Sequence, residues 1–189
     1  MGERLDFDCD YFSVGIFLLQ WGTSFYYSGA RRGAVLQWLH VGGYALSFLA
    51  ATALAQPLGE HFTLLIPYPS ATNAGQFAFY SDKIGLTLDT AFYRGFAFLL
   101  VLTIGWLMTR IISLWFHDLT YKAMGHRKSA VIGGIANLVI GYIFLFLILA
   151  LLALIPIAGI QQGLDHSIVA KVMIKYSPGL TQFVNALWL

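Results

Sequence analysis

AVIGGIANLVIGYIFLFLILALLALI, residues 130–155, is the stretch on which the fold turns. It carries no Asp, Glu, Lys or Arg, and its one strongly polar side chain is Asn137. From Ile143 to Ile155 every residue is Ile, Phe, Leu or Ala. At about −0.3 to −0.6 kcal/mol for each central Leu, Ile or Phe, this half favours bilayer insertion by about 3–6 kcal/mol. An apolar run of roughly 18 or more residues reads as a spanning helix, and Pro156 closes this one.

The rest of the chain repeats the pattern. No charged residue lies between Asp10 and Arg31, between Arg32 and Glu60, or between Arg94 and Arg110. Hydrophobic residues make up 58% of the 189 and charged residues 11%. Soluble domains hold about 45–50% and about 25%, and a small soluble domain has too little interior to hide the excess. The expected class is an all-α membrane protein of about four transmembrane helices, followed by amphipathic interfacial helices at the C-terminal end.

The four helices are expected at about residues 11–29, 34–56, 90–116 and 130–155. In the first, Gly15, Gly22 and Gly29 fall one heptad apart on one face, which permits close helix contact. Tyr11 and Phe12 at one end, and Phe25, Tyr26 and Tyr27 at the other, match interfacial aromatic belts. Ala30-Arg31-Arg32-Gly33 is a tight basic reversal. The second helix is rich in Gly, Ala and Ser, and Pro57 is expected to end it. In the third, Arg94 and Arg110 lie roughly 24 Å apart, close enough for both to reach the headgroups from the helix ends.

Residues 57–89 are expected to form an external loop, because prolines break the short apolar run 62–69. Residues 157–189 are expected to form an interfacial tail, with Leu164, Ile168 and Val172 on one stripe and Leu180, Phe183, Val184, Leu187 and Trp188 on another.

Charge distribution bears on orientation and on partners. Arg31, Arg32, Arg110, Lys122, Arg127 and Lys128 fall on one side of a four-helix arrangement, with five basic residues elsewhere. The positive-inside rule then puts both basic turns, 30–33 and 117–129, in the cytoplasm and both termini outside. Glu3, Asp6, Asp8 and Asp10 oppose Arg4 alone, unlike the start of a cleavable signal, so the first hydrophobic segment is expected to be retained. The net charge of +2 offers no field for nucleic acid. A single cysteine, Cys9, excludes an internal disulfide and any multi-cysteine metal site. No phosphate loop, nucleophile elbow or zinc motif is present, so neither a cofactor nor an enzyme activity is expected.

The candidate functional or packing residues are Arg31, Arg32, Gly33, His40, Arg94, Gly133, Asn137, Gly141 and Asp165. Arg31-Arg32-Gly33 reads as a lipid-phosphate or nucleotide site, or more commonly as a topology signal and reversal. Arg94 reads as a functional ionisable group or as a snorkelling helix end; Asp89 is five residues earlier, a poor spacing for a same-helix pair. Gly133, Asn137 and Gly141 line one face at four-residue steps, suited to a permeating species or to helix packing with one interhelical hydrogen bond. His40 reads as a proton relay or, more commonly, as a packing residue.

The stretch Tyr27-Ser28-Gly29-Ala30-Arg31-Arg32-Gly33 with Leu36-Gln37 resembles the colicin V production protein (CvpA) family. So do Ile66-Pro67-Tyr68-Pro69-Ser70, Ala91-Phe92-Tyr93-Arg94 and Gly133-Gly134. In the tail, Ile160-Gln161, Asp165, Ser167 and Ala170 fit the same pattern. The likeness runs from about residue 12 to 189 and is strongest to Gram-positive forms; no single motif is specific, but their order and spacing together are. The acidic leader departs from it. The resemblance implies a four-helix bacterial plasma-membrane protein. Relatives fused at their C-terminal end to trypsin-like proteases imply that the fourth helix ends outside. It supplies no catalytic residue.

The function expected is support of peptide-toxin production or export, and of envelope homeostasis, through a homo-oligomer or a membrane protein partner in the lipid bilayer. The rival expectation is an oligomeric channel or transporter with Asn137, His40 or Arg94 on its path.

Overall fold

The computed structural model describes residues 2–68, 79, 88–121, 126–177 and 179–189. Among the described residues six α-helices follow one another: α1 (Gly2–Phe62), α2 (Leu88–Ser113), α3 (His126–Ala153), α4 (Ala158–His166), α5 (Ile168–Tyr176) and α6 (Leu180–Trp188). A short 3-10 helix, Leu114–Tyr121, extends α2. Among the described residues there is no strand. The first three helices are each long and apolar enough to cross a bilayer. The chain is an all-helical membrane protein.

Two of the expected helices fall within α1, which is helical throughout except at Gly33, where φ is 72° and ψ 170°. Only glycine adopts that conformation without strain, because a Cβ would meet the adjoining peptide. The chain doubles back there. Along a continuous helix Phe25 and Gln37 would lie about 18 Å apart. Asn137 nonetheless bonds both of them with a single side-chain amide. The reversal therefore takes one residue, where the sequence pattern had suggested four, and Ala30, Arg31 and Arg32 remain helical.

Pro57 does not end the second arm of α1, which continues to Phe62. A proline inside a helix removes its own N–H and crowds the carbonyl four residues back. Here buried Ala51 and Ala55 before it, and Gly59 packed on Arg94 after it, hold both flanks in place. The helix ends differ elsewhere as well: α2 begins at Leu88 and α3 runs from His126 to Ala153.

The chain forms two compact units. The first comprises residues 1–42 and 109–142. In it the first arm of α1 runs antiparallel to α3, with Gly22 beside Leu138 and Gly29 beside Gly133. Ser129 of α3 caps the second arm by accepting a 2.8 Å hydrogen bond from the Ala34 N–H, one of the amides a helix start leaves without an intrahelical partner.

The second unit comprises residues 43–108 and 143–189. Its core joins Ala51 and Ala55 of α1, Phe98 of α2, Phe146 and Leu147 of α3, and Met173, Val184 and Trp188 of the tail. Phe48 meets Phe98 edge-on at 5.2 Å. The run after α1 is tied down: Tyr93 donates to the Ile66 carbonyl and Tyr68 to the Leu154 carbonyl, each at 2.7 Å. Burial, with the nearby Asp89 carboxylate and Tyr93, pushes the Tyr68 phenol up to about 12. Of the expected loop 57–89, residues 69–78 and 80–87 lie outside the described residues.

The tail is three short helices. Leu164 is buried on α4, but Ile168 and Val172 are exposed on α5. A break at Ser167 explains why they form no common stripe: its hydroxyl accepts from the Ala170 N–H and starts a new helix. Ala170, Met173 and Ile174 face inward instead. On α6, Val184 and Trp188 are buried against protein, so this apolar stripe is covered by the rest of the unit.

Candidate functional site

The first unit concentrates the sequence-derived candidates. Asn137 is buried on α3, and Gly133 and Gly141 lie one turn to either side. All three meet α1. A methyl group on Gly133 would sit 2.6 Å from the Gly29 carbonyl oxygen, and one on Gly141 would sit 2.6 Å from the Phe25 ring. The missing side chains let two backbones approach closely, the usual arrangement for helix association in lipid.

Asn137 joins the two arms of α1. Its Nδ2 donates to the Phe25 carbonyl at 2.6 Å. Its Oδ1 accepts from Gln37 Nε2 at 3.1 Å and from Arg32 Nη1 at 3.5 Å. Arg32 Nη1 also reaches Gln37 Oε1 at 3.3 Å. Buried polar groups need partners, more so where no water competes, and these three side chains supply one another. The network orients the Arg32 guanidinium beside the reversal.

A cleft of about 720 Å³ adjoins the network. Its lining brings together Arg31, Arg32, Arg110, His40 and His126. Arg31 lies over the Tyr27 ring, 5.8 Å from its centroid. His40 is buried, and its Nδ1–H donates to the Leu36 carbonyl at 2.8 Å. This setting has positive charge and several N–H donors, with the Ser28 and Ser113 hydroxyls beside them. It suits recognition of an anion.

Arg94 and Asp165 stand apart, in the second unit. Arg94 shares a smaller cleft with Gln56, Glu60, Thr63, Thr90 and Tyr93. Asp89 turns to its own neighbour, accepting from the Thr90 N–H at 2.6 Å. Asp165 pairs with Lys171 at 2.8 Å on the exposed side of α4 and α5, and that partner holds its carboxyl below the usual range. Among the described residues no group of three or more His, Cys, Asp or Glu could hold a metal ion.

The sequence profile of the colicin V production protein family matches residues 10–178, most of the chain. The chain belongs to the colicin V production protein family. It is 26% identical over 162 residues to the uncharacterized transmembrane protein YshB of Bacillus subtilis, covering 85% of this chain and 88% of that protein. No solved structure matches. For this member of the colicin V production family, geometry adds three residues that the sequence pattern did not single out as candidates: Gln37, Ser129 and Arg110. A buried-facing glutamine in an apolar helix was the one available signal. Ser129 becomes notable only through what it lies beside, and Arg110, read from the sequence as a helix end, only through the cleft it lines.

Proposed function

We propose that this protein is a multi-pass plasma-membrane protein that acts by association, as a homo-oligomer or with another membrane protein, in support of peptide-toxin production or export and envelope homeostasis. The family description motivates the toxin link. One structural observation carries the association reading. On the second arm of α1, Ala45, Leu49 and Ala53 recur at four-residue steps and all face outward, with Leu49 at 66% exposure. A face of small residues beside leucines suits a neighbouring transmembrane helix.

In this reading α1 supplies two spans, one per arm, and α2 and α3 supply the others. The basic turns lie in the cytoplasm and both termini outside, as the positive-inside rule favours. A membrane-impermeant thiol reagent would then label Cys9 in intact cells. The chain acts without chemistry of its own. The Asn137 amide is spent at both ends on Phe25 and Gln37, which supports a packing role over a conducting one.

Cross-linking in native membranes from cysteines placed at positions 45, 49 and 53 tests the proposal. Discrete adducts to a second copy or a partner are expected, and monomer alone would overturn it. Ion and small-solute flux through liposomes holding the folded protein is the companion measurement. Tight liposomes fit association, whereas flux altered by Arg94→Ala would establish the channel reading instead.

A further inference from the structure

We infer that the cleft around Glu60 and Arg94 binds a small zwitterion, a primary ammonium joined to a phosphate, of the kind an ethanolamine phospholipid headgroup presents. The cleft holds about 210 Å³ and is lined by Gln56, Glu60 and Thr63 from α1 and by Thr90, Tyr93 and Arg94 from α2. Among the described residues, Glu60 and Arg94 share this cleft without forming an ion pair with each other. The space between a carboxylate on one helix and a guanidinium on the next fits a ligand that carries both charges. Its walls are held in place. A methyl group on Gly59 would sit 3.1 Å from the Arg94 backbone nitrogen, so the two helices touch there, and Tyr93 donates to the Ile66 carbonyl at 2.7 Å. A cleft already shaped loses little freedom on binding.

Hydrogen-bonding roles sort the two ends of the ligand. Thr63 donates its hydroxyl hydrogen to the Glu60 carbonyl at 2.8 Å, and Thr90 donates its own to the Asp89 carboxylate at 3.3 Å. Both threonine oxygens are left as acceptors on the cleft that the Glu60 carboxylate lines. That set suits a primary ammonium, which offers several N–H donors and a full positive charge. Arg94 presents donors alone, in a planar fork that matches phosphate. Depth favours a lipid as the source. Glu60 stands in the last turn of α1 and Arg94 in the second turn of α2, so the cleft lies where spanning helices leave the hydrocarbon. Leu64 and Leu65, just beyond Thr63, are 89% and 72% exposed and offer apolar surface to acyl chains. Soluble phosphoethanolamine shares the polar chemistry and lacks the chains, and experiment separates the two.

The test uses the full chain in nanodiscs of phosphatidylcholine alone, with about one-fifth phosphatidylethanolamine, with about one-fifth phosphatidylglycerol, or with added soluble phosphoethanolamine. Thermal unfolding is followed in each for wild type, for Glu60→Gln and for Arg94→Gln. Asp165→Asn with Lys171→Gln, which removes an opposite pair outside the cleft, is the control. A ligand bound only by the folded chain raises the melting temperature. Stabilisation by phosphatidylethanolamine beyond that by phosphatidylglycerol assigns the lipid headgroup; stabilisation by phosphoethanolamine but not by the lipid assigns a soluble zwitterion. In either case each cleft variant is expected to bind about tenfold more weakly and lose the shift, the order of one charge-assisted hydrogen bond, while the control keeps it. If Arg94→Gln does not fold, Glu60→Gln on the exposed side decides the matter. No response to either zwitterion, an equal response to phosphatidylglycerol, or a response that a cleft variant retains overturns the assignment.

Discussion

The Nδ2 of Asn137 donates to the carbonyl oxygen of Phe25 across 2.6 Å, from the middle of one membrane helix to the backbone of another. That carbonyl belongs to an unbroken helix, so the amide uses its second lone pair. The same side chain accepts from Gln37 beyond the reversal, and so ties both arms of α1 to α3.

Asn137→Leu is therefore expected to destabilise the protein by about 1–2 kcal/mol, since interhelical hydrogen bonds in membranes are individually modest but Gln37 and Arg32 would both lose an acceptor. Chemical unfolding in detergent micelles measures this. A double-mutant cycle with Gln37→Leu should be clearly non-additive, and simple additivity would show that the two residues are not coupled.

Two glycines should respond to the same change with opposite sign. A methyl group on Gly29 collides with the Gly133 carbonyl, whereas one on Gly42 meets nothing within 4 Å. Gly29→Ala should cost about 1–3 kcal/mol by forcing the helices apart. Gly42→Ala should stabilise by about 0.5–1 kcal/mol through helix propensity. Thermal melts of the two variants side by side suffice, and equal effects would rule out the Gly29–Gly133 contact.

At Gly33 the backbone itself sets the expectation. With φ 72° and ψ 170°, an alanine costs about 1–3 kcal/mol in strain and favours straightening of the reversal. Cysteine pairs placed on the two arms away from their contacts with α3 should cross-link in the wild-type background and lose efficiency in Gly33→Ala. Unchanged cross-linking would show that the arms stay together without the glycine.

Tyr68 gives a pH signature. Its phenol donates to the Leu154 carbonyl and is pushed up to about 12, above the ordinary value of about 10 for an unfolded tyrosine. A raised folded pKa contributes stability that is fully present below pH of about 10 and is lost as pH rises towards about 12. Melting temperature should fall across that window in wild type, and the fall should be smaller in Tyr68→Phe. Identical profiles would exclude the burial that raises the phenol.

The helical membrane class was legible from residues 130–155 and the charge-free gaps, because insertion energy sums over composition and hardly depends on neighbours. The family followed from the order of short motifs. The face Gly133, Asn137 and Gly141 was legible as a face, since helical periodicity alone places it. Its partner was not. That Gly29 lies opposite Gly133, that Asn137 reaches Phe25, and that Gln37 closes the network are contacts across more than a hundred residues in part, set by how arms pack rather than by local pattern.

The same division explains the differences at Pro57 and in the tail. Local rules end a helix at a proline, but packing on both flanks carried α1 to Phe62. Periodicity drew one stripe through Leu164, Ile168 and Val172, but the Ser167 cap split it between two helices and turned Met173 and Ile174 inward. Composition and periodicity by themselves determined that this chain enters a membrane as helices, because burial in lipid is a property of each segment alone. Which residues meet, and that three arginines and two histidines share one cleft, only the tertiary structure decided, because Arg31 and Arg110 are brought together by the fold and not by the chain.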